Sequence, residues 1–185
     1  MNRAASVNSP DAALPAADHV LGVKHAKLTL LEYGDYECPA CIRAEPRVQH
    51  LIHKHLGYQG QLCFVFRHFP LVEVHANAEM AAEAAEAAAA QGRFWPMHHL
   101  LFAPPHRLDL EALTGHAQAI GLDMNRFKAE IAGHIYTQRV YEHRRAGEQS
   151  GLRTTPAFFL NGQPVDVSLG FERLEEALYA ALKAV

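Results

Sequence analysis

The chain has 185 residues, 49% of them apolar, and 17 Lys and Arg against 20 Asp and Glu give a formal net charge of −3. That length fits one domain with an insertion better than two domains, and the apolar content supports a sizeable core. The near-balanced charge, without a dense Lys/Arg stripe, argues against a nucleic-acid partner; no apolar run approaches the roughly 18 residues that span a bilayer, so no membrane insertion is expected.

Residues 1–17 are rich in Ala, Pro, Ser and Asn without apolar period, and predict a disordered lead-in. They lack the continuous apolar core of a secretory signal, so a cytoplasmic address is expected as written, and a periplasmic or secreted one if a leader has been removed. Leu28 to Tyr33 is an apolar run ending at Gly34 and predicts a central strand covered on both faces. Pro39 suits the first turn of a helix reaching Leu56 and stopping at Gly57, with a kink expected at the internal Pro46. Gln61 to Arg67 predicts a second strand, closed by Pro70. From Val74 to Gly151 only helical signals follow: Asn77 to Ala90, Phe94 to Phe102, Asp109 to Ile120, Asn125 to Ile131 and His134 to Ser150. Thr155 to Leu160 resumes the strand signal, Asn161-Gly162 predicts a hairpin turn into a short strand over Pro164 to Val167, and Phe171 to Ala184 closes the chain as a helix. The division expected is residues 18–73 and 151–185 as one α/β domain, with 74–150 as an inserted helical subdomain.

Chemistry concentrates at Cys38-Pro39-Ala40-Cys41, where the first strand hands over to the first helix. Two cysteines at this spacing can close a disulfide ring or share a metal. A tetrahedral zinc site needs about four ligands and no second Cys-x-x-Cys exists, so no metal and no cofactor are expected, and in a βαβ setting thiol–disulfide exchange is the leading expectation. Cys38 precedes the helix, where N–H groups and the dipole favour a thiolate; Cys41 lies a turn deeper. Cys63, between Leu62 and Phe64 within a strand, reads as a packed, inert thiol.

Several stretches together resemble one family: Val20-Leu21-Gly22 with Ala26, Cys38-Pro39-Ala40-Cys41, Phe64-Val65-Phe66-Arg67-His68-Phe69-Pro70-Leu71, Phe94-Trp95-Pro96-Met97-His98 and Thr155-Pro156-Ala157-Phe158-Phe159-Leu160-Asn161-Gly162. Their order over residues 18–185 resembles the DsbA-like thiol–disulfide oxidoreductases, an α/β thioredoxin fold with a helical insertion between the second and third core strands. The resemblance implies that Cys38 attacks, that Cys41 resolves the mixed disulfide, and that Glu32, a carboxylate within the central strand, relays protons for Cys41; burial would raise its pKa towards that task. It also implies a cis Thr155–Pro156 bond facing the cysteines, where the backbone docks a substrate chain. The partners implied are protein thiols or disulfides and a redox-recycling protein. Where the strongest oxidants of the family carry His between the cysteines this chain has Ala40, so a more moderate potential is expected.

Two competing readings stay open: a non-catalytic peptide-binding module gated by the redox state of Cys38 and Cys41, and a glutathione-dependent thiol enzyme. The glutathione-using group typically carries a single Ser or Cys at the helix start, so the second cysteine argues against the latter. His50, His53 and His55 share a helix but not one ligand-ready face, and His98-His99 with His106 has no acidic or thiol neighbour in sequence, so these histidines are expected in solvent or core. Arg67 and His68 at a strand end are read as structural support, and Phe94, Trp95 and Phe102 as core of the insert.

Overall fold

The structure is a computed structural model and describes residues 18–23, 26–56 and 61–184. The lead-in expected over residues 1–17 and the helix stop at Gly57 lie outside the described residues. The architecture is mixed α/β, a thioredoxin fold: strands β1 (His19–Gly22), β2 (Leu28–Gly34), β3 (Leu62–His68), β4 (Ala157–Leu160) and β5 (Gln163–Val165) form one sheet in the order β1-β3-β2-β4-β5. Helix α1 (Pro39–Leu56) joins β2 to the parallel β3, α2 (Ala78–Ala89), α3 (Phe94–Phe102), α4 (Leu110–Ala119), α5 (Met124–Ala132) and α6 (Thr137–Gln149) lie between β3 and β4, and α7 (Glu172–Ala184) closes the chain.

The apolar runs become the two central strands because both faces are covered. Along β2, Leu28 and Leu30 join one core cluster while Leu31 and Tyr33 join another, and β3 divides likewise into Leu62, Phe64 and Phe66 against Cys63 and Val65. The two-residue alternation of a strand therefore places Glu32 on the face of Leu28 and Leu30, the face packed by α1 and most of the helices. Its neighbours across the sheet are Phe66 and Phe158, so the carboxylate enters an apolar layer.

The hairpin forms at Asn161-Gly162, with φ of 48° and 76°, the left-handed pair that a type I′ turn requires. Asn161 also ties the turn back to β2: its Oδ1 accepts from the Thr29 N–H at 2.8 Å and its N–H donates to the Thr29 carbonyl at 2.9 Å. Helix α1 continues through Pro46 as a single helix.

Three details differ from the sequence reading. An extra edge strand, β1, pairs antiparallel with β3 before the first strand expected; four residues are too few for a periodicity to register. The return strand is shorter, Gln163–Val165. The last insert helix begins at Thr137, because Ile135 donates to the Glu130 carbonyl and His134 adopts φ 48°, a helix-ending pattern that turns the chain before α6 can start.

Candidate redox site

The site is built at the β2–α1 turn. Asp35, 2% exposed, organises the turn: its carboxylate accepts from the N–H of Glu37 and Leu71, each at 2.8 Å, and lies 2.7 Å from His75 Nδ1. Glu37 accepts from the backbone and side chain of Asn77 at 2.6 and 3.0 Å, fastening the turn to the start of α2. Gly34 is required just before it, since a Cβ there would stand 2.5 Å from the Phe66 ring.

Cys38 lies immediately before Pro39, the first residue of α1, and its carbonyl accepts the N–H of Ile42. Its Sγ lies 3.5 Å from the Thr155 carbonyl oxygen, and the Thr155–Pro156 peptide is cis. The two thiols are driven apart in acidity. The Cys41 thiol, donating to Cys38, is the largest influence on it; burial opposes, Thr155 and the N–H groups of Cys41 and Ala40 add to the effect, and Cys38 falls from an ordinary 9.0 to about 5. Cys41, only 1% exposed, is pushed well up, first by burial and then by its contact with Cys38 and the negative charge of Glu32.

Glu32 is 1% exposed and its Oε2 has no hydrogen-bond partner. Burial, reinforced by the nearby Glu45 carboxylate, raises its pKa well above 4.5, as removing a carboxylate from water does. Beside the cysteines an open groove of ≈ 480 Å³ runs past Ala40, Arg43, Arg47, Pro156, Val167 and Phe171. The fold thus brings Cys38, Cys41, Thr155 and Pro156 together across 117 residues of sequence, with Pro39 and Ala40 between the cysteines and Glu32 acting on Cys41 through its charge.

Sequence reasoning missed the polar residues that support this site. The sequence assigns no role to Asp35 and Glu37. Glu83 and Glu86 read as helix-forming glutamates on α2, yet both are buried, Glu83 with His134 at 3.0 Å and Glu86 with His19 at 2.7 Å and His68 at 2.9 Å. Arg67 and His68 are held in this buried network: Arg67 donates to Asp18 at 2.7 and 3.0 Å and to the Tyr33 hydroxyl at 3.0 Å. Phe94 and Phe102 are buried, with Trp95 packed against the same core. Among the described residues, the fold also gathers two groups of side chains with metal-ligating atoms, His19/His68/Glu86 and Glu45/His98/His99, which the sequence does not place together. The side chain of His55 is outside the described residues.

Among the described residues no helix is long and apolar enough to cross a membrane. Among curated proteins the chain is 41% identical over 167 residues to the Na(+)/H(+) antiporter NhaA 1 of Salinispora arenicola, covering 90% of this chain and 25% of that protein. It is 40% identical over 151 residues to the Na(+)/H(+) antiporter NhaA 1 of Mycobacterium sp. strain KMS, covering 80% and 24%; the chain spans about a quarter of the length of these relatives. Similar solved structures share the fold. A thioredoxin-like oxidoreductase from Silicibacter pomeroyi superposes with a TM-score of 0.79 at 24% identity, covering 98% of this chain and 100% of that one. Oxidised BdbD from Bacillus subtilis gives 0.78 at 21%, covering 89% and 92%, and α-DsbA1 from Wolbachia pipientis 0.72 at 21%, covering 92% and 91%. The family profile described as thioredoxin matches residues 15–180, nearly the whole chain and every element of the site, and with the DsbA-like fold of these neighbours it follows that the chain belongs to the thioredoxin family.

Proposed function

We propose that the chain exchanges disulfides with protein substrates through Cys38 and Cys41. The observation that carries the reading is the geometry of the pair, Cys38 at the start of α1 with its Sγ 3.5 Å from the Thr155 carbonyl beside the cis Pro156; the split in acidity, with Cys38 at about 5 and Cys41 pushed up, supports it. In the reducing direction the Cys38 thiolate attacks one sulfur of a substrate disulfide, forming a mixed disulfide and expelling the other sulfur as a thiolate. Cys41 then gives its proton to the ionised Glu32 carboxylate and attacks Cys38 Sγ; the Cys38–Cys41 disulfide forms and the second substrate thiol leaves as a thiolate that takes up a proton. Oxidation of a dithiol substrate runs the same steps backwards.

Thr155 and Pro156 dock the substrate chain, its backbone pairing beside Cys38, and the groove past Ala40 and Phe171 takes the flanking residues, with Arg43 and Arg47 at its wall. Direction depends on the potential of the pair. A low-pKa Cys38 is a good leaving group and stabilises the reduced form, which makes the disulfide more oxidising, and this works against the moderate potential expected from Ala40. The deciding measurement is the Cys38–Cys41 equilibrium against a glutathione redox buffer.

The catalytic reading is tested with Cys38→Ser. That variant should keep the fold by circular dichroism and lose dithiol-dependent reduction of a disulfide-bonded protein; retained turnover would overturn the assignment. Substrate peptide binding that tracks the oxidation state without turnover in the wild type would favour the redox-gated binding module instead.

A further inference from the structure

The histidine pair His98-His99 has no acidic neighbour in sequence, and the fold supplies one from α1. Glu45, 8% exposed and one turn beyond Cys41, directs its carboxylate at His98 Nε2 from 3.6 Å and at His99 Nδ1 from 3.9 Å. Both distances are too long for hydrogen bonds. His98 is 0% exposed, and its Nε2 has no hydrogen-bond partner. Buried polar atoms are ordinarily satisfied, so a ring nitrogen that points at a carboxylate without reaching it leaves a place for a third body.

The spacing fits a metal ion. Ligand atoms at about 2.1 Å from a tetrahedral zinc lie about 3.4 Å from one another, and the two distances here fall within about half an ångström of that separation. The other group of the same composition differs: in His19/His68/Glu86 the nitrogens approach one carboxylate oxygen at 2.7 and 2.9 Å, ordinary hydrogen bonds that satisfy the atoms directly.

The surroundings of Glu45 and His98 also resemble the outer shell of a metal centre, in which a ligating histidine donates its second N–H and a ligating carboxylate is held by a hydrogen bond. His98 Nδ1 lies 3.0 Å from the Tyr36 hydroxyl, and Gln49 donates to Glu45 at 2.8 Å. In the tautomer that donates Nδ1–H to the phenol oxygen, the lone pair of Nε2 faces Glu45. His99, 46% exposed, opens the group to solvent.

We propose that Glu45, His98 and His99 bind a divalent transition-metal ion of the zinc type, with water completing the shell. Two imidazoles and one carboxylate suit zinc, cobalt(II) or copper(II) better than magnesium or calcium, which take oxygen ligands.

The test titrates zinc, and separately cobalt(II), into the full chain with Cys38 and Cys41 oxidised to their disulfide, so that those thiolates cannot bind. One ion per chain is expected by calorimetry, with a four-coordinate cobalt(II) absorption that lacks the intense thiolate charge-transfer band. His99→Ala, at an exposed position, and Glu45→Gln should each weaken binding by about tenfold or more, while His134→Ala, which removes a surface histidine paired with Glu83, should not change it. Absence of saturable binding would overturn the proposal. So would an affinity in His99→Ala within about twofold of wild type, which also covers binding at His19/His68/Glu86 and needs no result from Glu45→Gln if that variant fails to fold.

Discussion

Replacing Cys41 probes the origin of the Cys38 thiolate, because the Cys41 thiol is the largest influence lowering Cys38 to about 5. A hydrogen bond to a charged group contributes about 1.5–3 kcal/mol, and at about 1.36 kcal/mol per pKa unit its loss raises an acid by roughly 1–2 units. Cys41→Ala should therefore move the half-titration of Cys38 to roughly 6–7, with Thr155, the backbone N–H groups and the helix start still acting on it. Cys41→Ser keeps an O–H donor in the same place and should hold Cys38 within about half a unit of the wild type. At pH 6 the contrast is large: about 90% thiolate for a pKa of 5 and about 10% for a pKa of 7. The assay is the initial rate of iodoacetamide alkylation against pH, with the label on Cys38 quantified by peptide mass spectrometry so that Cys63 does not contribute. Identical titrations for the Ala and Ser variants would refute the reasoning, and so would a wild-type half-titration above pH 8.

Three further outcomes concern the protein around the thiols. Burial raises the folded pKa of Glu32 above the ordinary 4.5; the unfolded chain gives up its proton first, so the carboxyl's penalty is absent at low pH and grows as pH rises from the unfolded value through the folded one. Glu32→Gln should match the wild type in urea unfolding below about pH 4 and become progressively the more stable of the two towards neutrality; parallel profiles would contradict this. Asp18→Ala strands the Arg67 guanidinium, 4% exposed, which should cost about 3–5 kcal/mol. It should lower the melting midpoint by roughly 10 °C, and Asp18→Ala combined with Arg67→Met should recover much of that loss; no recovery would speak against a stranded charge. Gly147→Ala puts a methyl 2.7 Å from the Phe69 ring and 3.2 Å from Tyr33, where α6 packs on the sheet. A loss of about 1–3 kcal/mol in chemical denaturation is expected, and an unchanged midpoint would mean that α6 can move away at no cost.

The sequence by itself determined the strand and helix order, the hairpin and the cysteine pair, because each is written in local chemistry. Leu28–Gly34 and Leu62–His68 are apolar on both faces, Asn161-Gly162 suits two left-handed residues in succession, and Pro39 suits a helix start. The strand β1 escaped notice because four residues carry no period, and the left-handed turn at His134, which delays the last insert helix to Thr137, is set by backbone conformation rather than by a residue type the sequence marks. What only the tertiary structure decided are the electrostatic partners, since these depend on groups meeting across long stretches of chain. Thr155 reaches Cys38 across 117 residues, and Glu86 meets His19 across 67. Glu45, one more helix glutamate in the sequence, meets His98 and His99 from another helix and raises Glu32. A pair of thiols at a helix start can be read from four residues; how far apart their acidities are driven depends on burial and on charges that the folded chain alone brings within reach.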